Sequence, residues 1–184
     1  IMNKHPVKSE YTGLEIAVIG MSCRFPGANN IEEFWANLEK GVESMYFFNQ
    51  EELKKSSTPQ NYIDHQDFIP SRGALENPEY FDAAFFGYKP IEAEFMDPQF
   101  RFFYECCWEA VESSGYNPES YEGAIGIYAG ASNHREWEIK GLLNNRFGDM
   151  GIFARDHLID RDFLSTRIAY KLNLRGPAIT IKTA

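Results

Sequence analysis

Three short apolar runs constrain this chain more than anything else in it: Ile16–Ile19 closed by Gly20, Ala124–Gly130, and Ala178–Ile181. An uninterrupted apolar run of this length suits a strand buried on both faces, as in a parallel sheet. Helical patterns separate the runs. Asn30 can cap a helix whose third position is Glu33, with Ile31, Phe34, Trp35 and Leu38 as its apolar face and Gly41 as its stop. Asp97 and Pro98 open the longest helical pattern, which Gly115 and Pro118 end. On it Phe100, Phe103, Cys107, Trp108, Ala110, Val111 and Ser114 are expected inward, with Arg101 and Glu105 paired four apart on the other side. A last helix carries the stripe Leu164, Ile168, Leu172, with Asp162 as its expected cap and Asn173, Gly176 and Pro177 as its break.

The alternation of strand and helix predicts an α/β domain, layered α-β-α around a mostly parallel sheet. Residues 42–80 show no sustained period and read as a long excursion carrying short elements, of the kind that is functional or interfacial in a compact domain. The aromatic segment Tyr80–Gly87 reads first as core or subunit interface, and second as a substrate wall. Residues 132–160 are polar and partly helical. Residues 1–13 read as a linker or tag remnant, because they are polar and begin with Ile1 rather than a start methionine.

Composition narrows the function. At 184 residues the chain can bury roughly 70% of its unfolded surface, enough for a core. A net charge of −9 argues against nucleic acid, whose phosphates need clustered Lys and Arg. No apolar run approaches the ~20 residues of a membrane helix. Cys23, Cys106 and Cys107 are an odd count without a secretion signal or C-x-x-C spacing, which predicts a reducing, cytoplasmic setting, with Cys106 and Cys107 as small core residues of a helix.

No phosphate-loop, hydrolase-elbow or zincin motif occurs, and Gly123, Gly126 and Gly130 have the wrong spacing for a dinucleotide fingerprint. His5, His65, His134 and His157 show no ligand spacing, so no metal site is expected. Glu92, Glu94 and Asp97 read as a solvated face and a cap before they read as an acid–base pair. From its residues alone the chain is an α/β domain without a complete active site.

Several segments in register carry a resemblance. IAVIGMSCRFPGA (16–28), Phe34-Trp35 with Leu38 and Gly41, and FDAAFFG (81–87) come first. Glu92-Ala93, MDPQ (96–99), Arg101, Glu105, Trp108-Glu109-Ala110 and Gly115-Tyr116 follow, then GIYAG (126–130), Asn133 and RGPAITIKTA (175–184). Together they resemble the β-ketoacyl synthase domains of modular polyketide synthases and hybrid nonribosomal peptide/polyketide synthases, from about Leu14 to Ala184. Phe100, Phe102 and Phe103 are more aromatic than the Gln and Leu usual there, and Lys182 stands where a polar or acidic residue is common.

The resemblance implies a thiolase-like fold, of which residues 14–184 would be the N-terminal part. It implies decarboxylative Claisen condensation of acyl and malonyl-type thioesters carried on the phosphopantetheine of an acyl carrier protein, with no cofactor bound directly. In the family a cysteine nucleophile follows the Thr-Ala pair matched by Thr183 and Ala184, and two histidines come from the second half. None of the three is expected within this chain, and His134 and His157 do not match the family's histidine positions. Ser132 and Asn133 are candidates for lining the acyl pocket, with turn capping as the other reading of Asn133. Ala178, Ile179, Thr180 and Ile181 resemble the strand that pairs with its twin across a homodimer axis. The expected partners are thus a carrier protein, the second half of the domain and a second copy. The segment alone is expected to be inactive; the alternative is a non-catalytic dimerisation or carrier-docking module.

Overall fold

The computed structural model describes residues 12–56, 58–132, 137, 139 and 151–182. In chain order its elements are α1 (Ile31–Lys40), β1 (Tyr46–Phe47), α2 (Gln50–Lys55), α3 (Gln60–Ile63), β2 (Ser71–Arg72), α4 (Pro90–Phe95), α5 (Pro98–Ser114), β3 (Ile127–Ala129), α6 (Ile152–Ile159), α7 (Leu164–Lys171) and β4 (Ala178–Thr180).

Local chemistry sets the helix ends. The Asn30 side chain accepts from the Glu33 amide at 2.8 Å, and Gly41 closes α1 in the left-handed region at φ 62°. The Asp97 carboxylate accepts from the Gln99 amide at 2.9 Å, Pro98 takes the first turn of α5, and Gly115 ends it at φ 76°. The last helix begins differently from expectation. Asp160, not Asp162, accepts the capping bond, and a 3₁₀ turn over Arg161–Phe163 leads into α7.

β3 and β4 pair in parallel, with Ile127 opposite Ala178, Tyr128 opposite Ile179 and Ala129 opposite Thr180. The Ile181 amide extends the ladder to the Ala129 carbonyl at 2.7 Å. α7 packs over this pair: Ile168, fully buried, and Leu164, at 2% exposure, face the strands. Strand burial is one-sided, because Ile127 and Ala129 are buried while Tyr128 is exposed on the opposite face. β1 and β2 form a separate antiparallel pair inside the 42–80 excursion.

The first apolar run departs most from expectation. Residues 14–24 form no strand among the described residues, and Leu14, Ile16, Val18, Ile19 and Met21 are all exposed. A buried strand needs neighbours on both edges and both faces. The run instead lies against α5, which Gly20 approaches so tightly that a Cβ there would lie 2.4 Å from the Ala110 carbonyl oxygen. Trp35 and Leu38 on α1 are likewise exposed, so the apolar face of α1 is only half covered.

The core gathers around the aromatic segment and α5. Phe86, Tyr88, Phe95, Met96, Phe100 and Tyr104 are buried, and Phe81 stacks on Phe86 with centroids 5.2 Å apart. The core reading of Tyr80–Gly87 thus holds for Phe81 and Phe86, whereas Tyr80 and Phe85 are exposed. On α5 the deepest side chains are Phe100, Tyr104 and Arg101. Arg101, expected outside and paired with Glu105, is instead buried. Its guanidinium donates to the carbonyls of Met96, Pro78, Glu79 and Glu94 at 3.1–3.4 Å. Four backbone acceptors replace hydration, which lets a cation sit inside with no carboxylate in ion-pairing distance among the described residues.

Gly126 and Gly176 let the two backbones that frame the β3–β4 pair touch. A Cβ on Gly176 would lie 2.5 Å from the Gly126 nitrogen and 2.6 Å from the Ile125 carbonyl carbon. Both obstacles are backbone and cannot swing aside. Gly176→Ala is therefore expected to destabilise the protein by about 1–3 kcal/mol through overpacking. Thermal melting monitored by circular dichroism should fall by several degrees; an unchanged midpoint would show that this approach is looser than described.

Candidate functional site

In parallel sheets the carboxyl ends of the strands are where sites form. Here the carboxyl end of β3 opens into a cleft of about 480 Å³. Gly130 and Ala131 form its strand side, Gln99, Phe102, Phe103 and Cys106 of α5 one wall, and Arg72 with Ala74 and Leu75 another. The walls are mainly apolar and aromatic, with the cations Arg24 and Arg72 and one thiol among them.

Of the two pocket candidates, Ser132 is exposed beside this cleft, and its carbonyl accepts from Gln99 Nε2 at 3.3 Å. Asn133 lies outside the described residues, as do His134, Thr183 and Ala184. The residues that meet the cleft at the strand end are Gly130 and Ala131, one step before the candidates.

β4 runs beside β3 toward the same end. Its position is fixed from inside by a hydroxyl pair. Thr180 Oγ1 donates to Ser165 Oγ at 2.9 Å and accepts from the Ser165 amide at 3.4 Å, and Ser165 is fully buried. Sequence periodicity could not single out Ser165, because a serine in a helical stripe reads as polar. Along β4, Ala178 and Thr180 are half-buried, whereas Ile179 and Ile181 are exposed.

The loop after the first apolar run is clamped to α5. Arg24 makes a bidentate pair with Glu109, whose Oε2 also accepts from Ser22. Arg24 lies 3.9 Å from Glu105 as well, so Glu105 faces this clamp while Arg101 is turned to backbone carbonyls. Fork-to-fork geometry of this kind both strengthens and orients an ion pair. The hydrogen bond from Arg24 holds the Glu109 carboxyl below the ordinary range, while burial pushes Glu105 up.

The three thiols are half-buried and free. Burial raises each of them: Cys23; Cys106, where Ser22 and Arg24 offset part of the effect; and Cys107, pushed up to about 12. The cation that acts on Cys106 is Arg24, not Arg101. A thiol of raised pKa is a poor nucleophile at neutral pH, because the thiolate is the reactive form. Among the described residues no group of three His, Cys, Asp or Glu is placed to hold a metal, and no helix is long and apolar enough to cross a membrane.

The pattern matches a known class. The chain belongs to the β-ketoacyl synthase family: residues 14–184 match the model of the β-ketoacyl synthase N-terminal domain. It is similar to a phenolphthiocerol/phthiocerol polyketide synthase of Mycobacterium tuberculosis, 36% identical over 180 residues, covering 92% of this chain and 12% of that protein. Polyketide synthase PksN of Bacillus subtilis is 34% identical over 165 residues, covering 89% of this chain and 3% of PksN. Among solved structures, ketosynthase twelve of the bacillaene polyketide synthase of Bacillus amyloliquefaciens superposes with a TM-score of 0.74 at 33% identity, covering 91% of this chain and 29% of that one. The module 1 ketosynthase of the bacillaene synthase of Bacillus amyloliquefaciens gives 0.73 at 35%, covering 91% and 29%. The fold is thus thiolase-like, and the chain is N-terminal ketosynthase sequence of the modular polyketide synthase type, spanning less than a third of those solved chains.

The clamp carries a pH signature. Glu109 has a lowered folded pKa, so its contribution is complete above the ordinary value of 4.5 and is lost as pH falls through the lowered value. Glu105 has the opposite slope, so the informative quantity is the stability gap between the native protein and Glu109→Gln. That gap should close as pH drops below about 4.5 in denaturant titrations. A gap independent of pH would mean that the Arg24 pair does not form in solution.

Proposed function

We propose that this chain is the part of a polyketide synthase ketosynthase that positions the nucleophile rather than supplying it. The single observation that carries this reading is the anchored parallel strand β4. It is pinned to β3 by its ladder and to α7 by the Ser165–Thr180 pair, and its described residues run toward the carboxyl end of β3, beside the cleft, which supports a positioning role for the chain beyond it. In the reaction proposed, the residue after Ala184 is the cysteine. An acyl group moves from the phosphopantetheine thioester of an acyl carrier protein onto its sulfur, releasing the carrier thiol. A malonyl-type thioester then loses carbon dioxide, and the carbanion attacks the acyl-enzyme carbonyl and expels the cysteine. Two histidines of the second half of the domain assist decarboxylation. Residues 130–133, including Ser132 and Asn133, border the acyl chain. The setting is cytoplasmic, and nothing but the carrier's arm brings cofactor chemistry.

The thiols within the chain fit this division of labour. A nucleophile for thioester exchange needs thiolate character beside oxyanion donors. Cys23, Cys106 and Cys107 are all shifted the other way by burial. We further propose that β4 pairs with its twin in a homodimer. Its outer residues Ile179 and Ile181 are exposed and apolar, and exposed strands recruit partners.

Incubation with an activated acyl thioester at neutral pH should leave the intact mass of this chain unchanged, whereas a chain carried through the following cysteine should gain one acyl group there. A single stoichiometric adduct mapping to Cys23, Cys106 or Cys107 would overturn the reading. For assembly, sedimentation should report a dimer that Ile179→Lys dissociates; a native chain that stays monomeric at high concentration removes the pairing.

A further inference from the structure

The chain carries 27 acids against 18 bases, yet two cations on α7 stand without an acid among the described residues. Arg167 and Lys171 are one helical turn apart and both lean over Tyr88, with the guanidinium carbon 5.1 Å and the ammonium 4.1 Å from the ring centroid. Each head group donates one hydrogen bond within the described residues: Arg167 Nη2 to Tyr88 Oη at 2.7 Å, and Lys171 Nζ to the Gly87 carbonyl at 2.8 Å. No described carboxylate lies within ion-pairing distance of either. Glu92, whose charge Lys171 feels, is turned to the amide of Lys89 at 2.7 Å, where it caps α4.

The arrangement is held in place. Tyr88 is buried; its hydroxyl accepts from Arg167 and shares a hydrogen bond with the Tyr104 hydroxyl 2.7 Å away. Gly87, at φ 65°, turns the chain so that its carbonyl meets the ammonium, and a Cβ there would stand 3.4 Å from Nζ. Like charges one turn apart repel. Among the described residues, most of the five guanidinium donors and two of the three ammonium donors have no acceptor beyond Tyr88 Oη and the Gly87 carbonyl. Arg167 and Lys171 are half-buried, and Gly87 and Lys89 beside them are exposed.

We propose that Arg167 and Lys171, oriented by Tyr88 and Gly87, form a seat for one oxyanion, either a phosphate group or a carboxylate presented by an acidic surface. A bound oxyanion would bridge the unused donors of both cations and cancel their mutual repulsion. The site lies on α7 and the 87–89 turn, apart from the cleft at the end of β3, and does not depend on the condensation chemistry.

The test is a titration of the whole chain with inorganic phosphate, and separately with acetate and a short Asp/Glu peptide, against sodium chloride at matched ionic strength. Amide resonances of Gly87 and Tyr88 and the thermal midpoint are followed. Saturable shifts with phosphate, weakened at least tenfold in Lys171→Gln, support the seat with phosphate as a source. The same shifts with acetate and the peptide but not with phosphate support it with carboxylate as the source. Arg167→Lys, which keeps the charge but loses the planar fork, should weaken binding less than Lys171→Gln does for acetate and more for phosphate. Absence of saturable shifts beyond chloride in the native chain, or equal responses in native and Lys171→Gln protein, overturns the proposal.

Discussion

The contact between the 125–126 backbone and Gly176 is the constraint on which the rest of the site depends. The Gly176 amide donates to the Ile125 carbonyl at 2.9 Å, and the Ile127 amide to the Pro177 carbonyl at 2.7 Å. These two bonds start the parallel register before the strands begin. Every later pairing, from Ile127–Ala178 to Ile181–Ala129, inherits that register. Because side chains alternate along a strand, a slip of one residue would turn Ala178 and Thr180 outward and break the Thr180–Ser165 pair. Two glycines therefore decide where the end of β4 points.

A second layer of order comes from polar groups in apolar surroundings. Tyr104 and Tyr88 are buried and form a chain of hydrogen bonds with the half-buried Arg167, and among the described residues no buried side-chain polar atom lacks a partner. Such networks fix one arrangement of a core, because each member has a defined direction. The aromatic rings around them supply the burial: Phe81, Phe86 and Tyr104 lie within 6.2 Å of one another, mostly edge to face. Burial in this network, with the Tyr88 hydroxyl beside it, pushes the Tyr104 phenol well above its ordinary value.

What the sequence disclosed was mostly local. Asn30, Asp97, Gly41 and Gly115 end their helices as their residue types require, since a cap needs only its nearest neighbours. The register of familiar segments also disclosed the family. Long-range facts were hidden. Arg101 reads as a surface cation in any helical wheel, and its acceptors are carbonyls of residues 78, 79, 94 and 96, which leave no mark in the sequence. Ser165 and the Arg24–Glu109 clamp were hidden for the same reason. The run at 16–19 shows the converse failure: its composition is that of a buried strand, but composition specifies the need for neighbours without placing them. Asp160 displaced Asp162 as the cap because a 3₁₀ turn adds residues ahead of the helix that periodicity alone does not count.

Arg101 has a further consequence. One side chain joins the carbonyls of Pro78 and Glu79 to those of Glu94 and Met96, so both ends of a 19-residue span from Pro78 to Met96 hang on the same guanidinium. Releasing either end strands a desolvated cation, and the other end then gains nothing by holding on. The span therefore opens as one unit, and its slowest-exchanging amides should share a single opening free energy rather than fraying residue by residue.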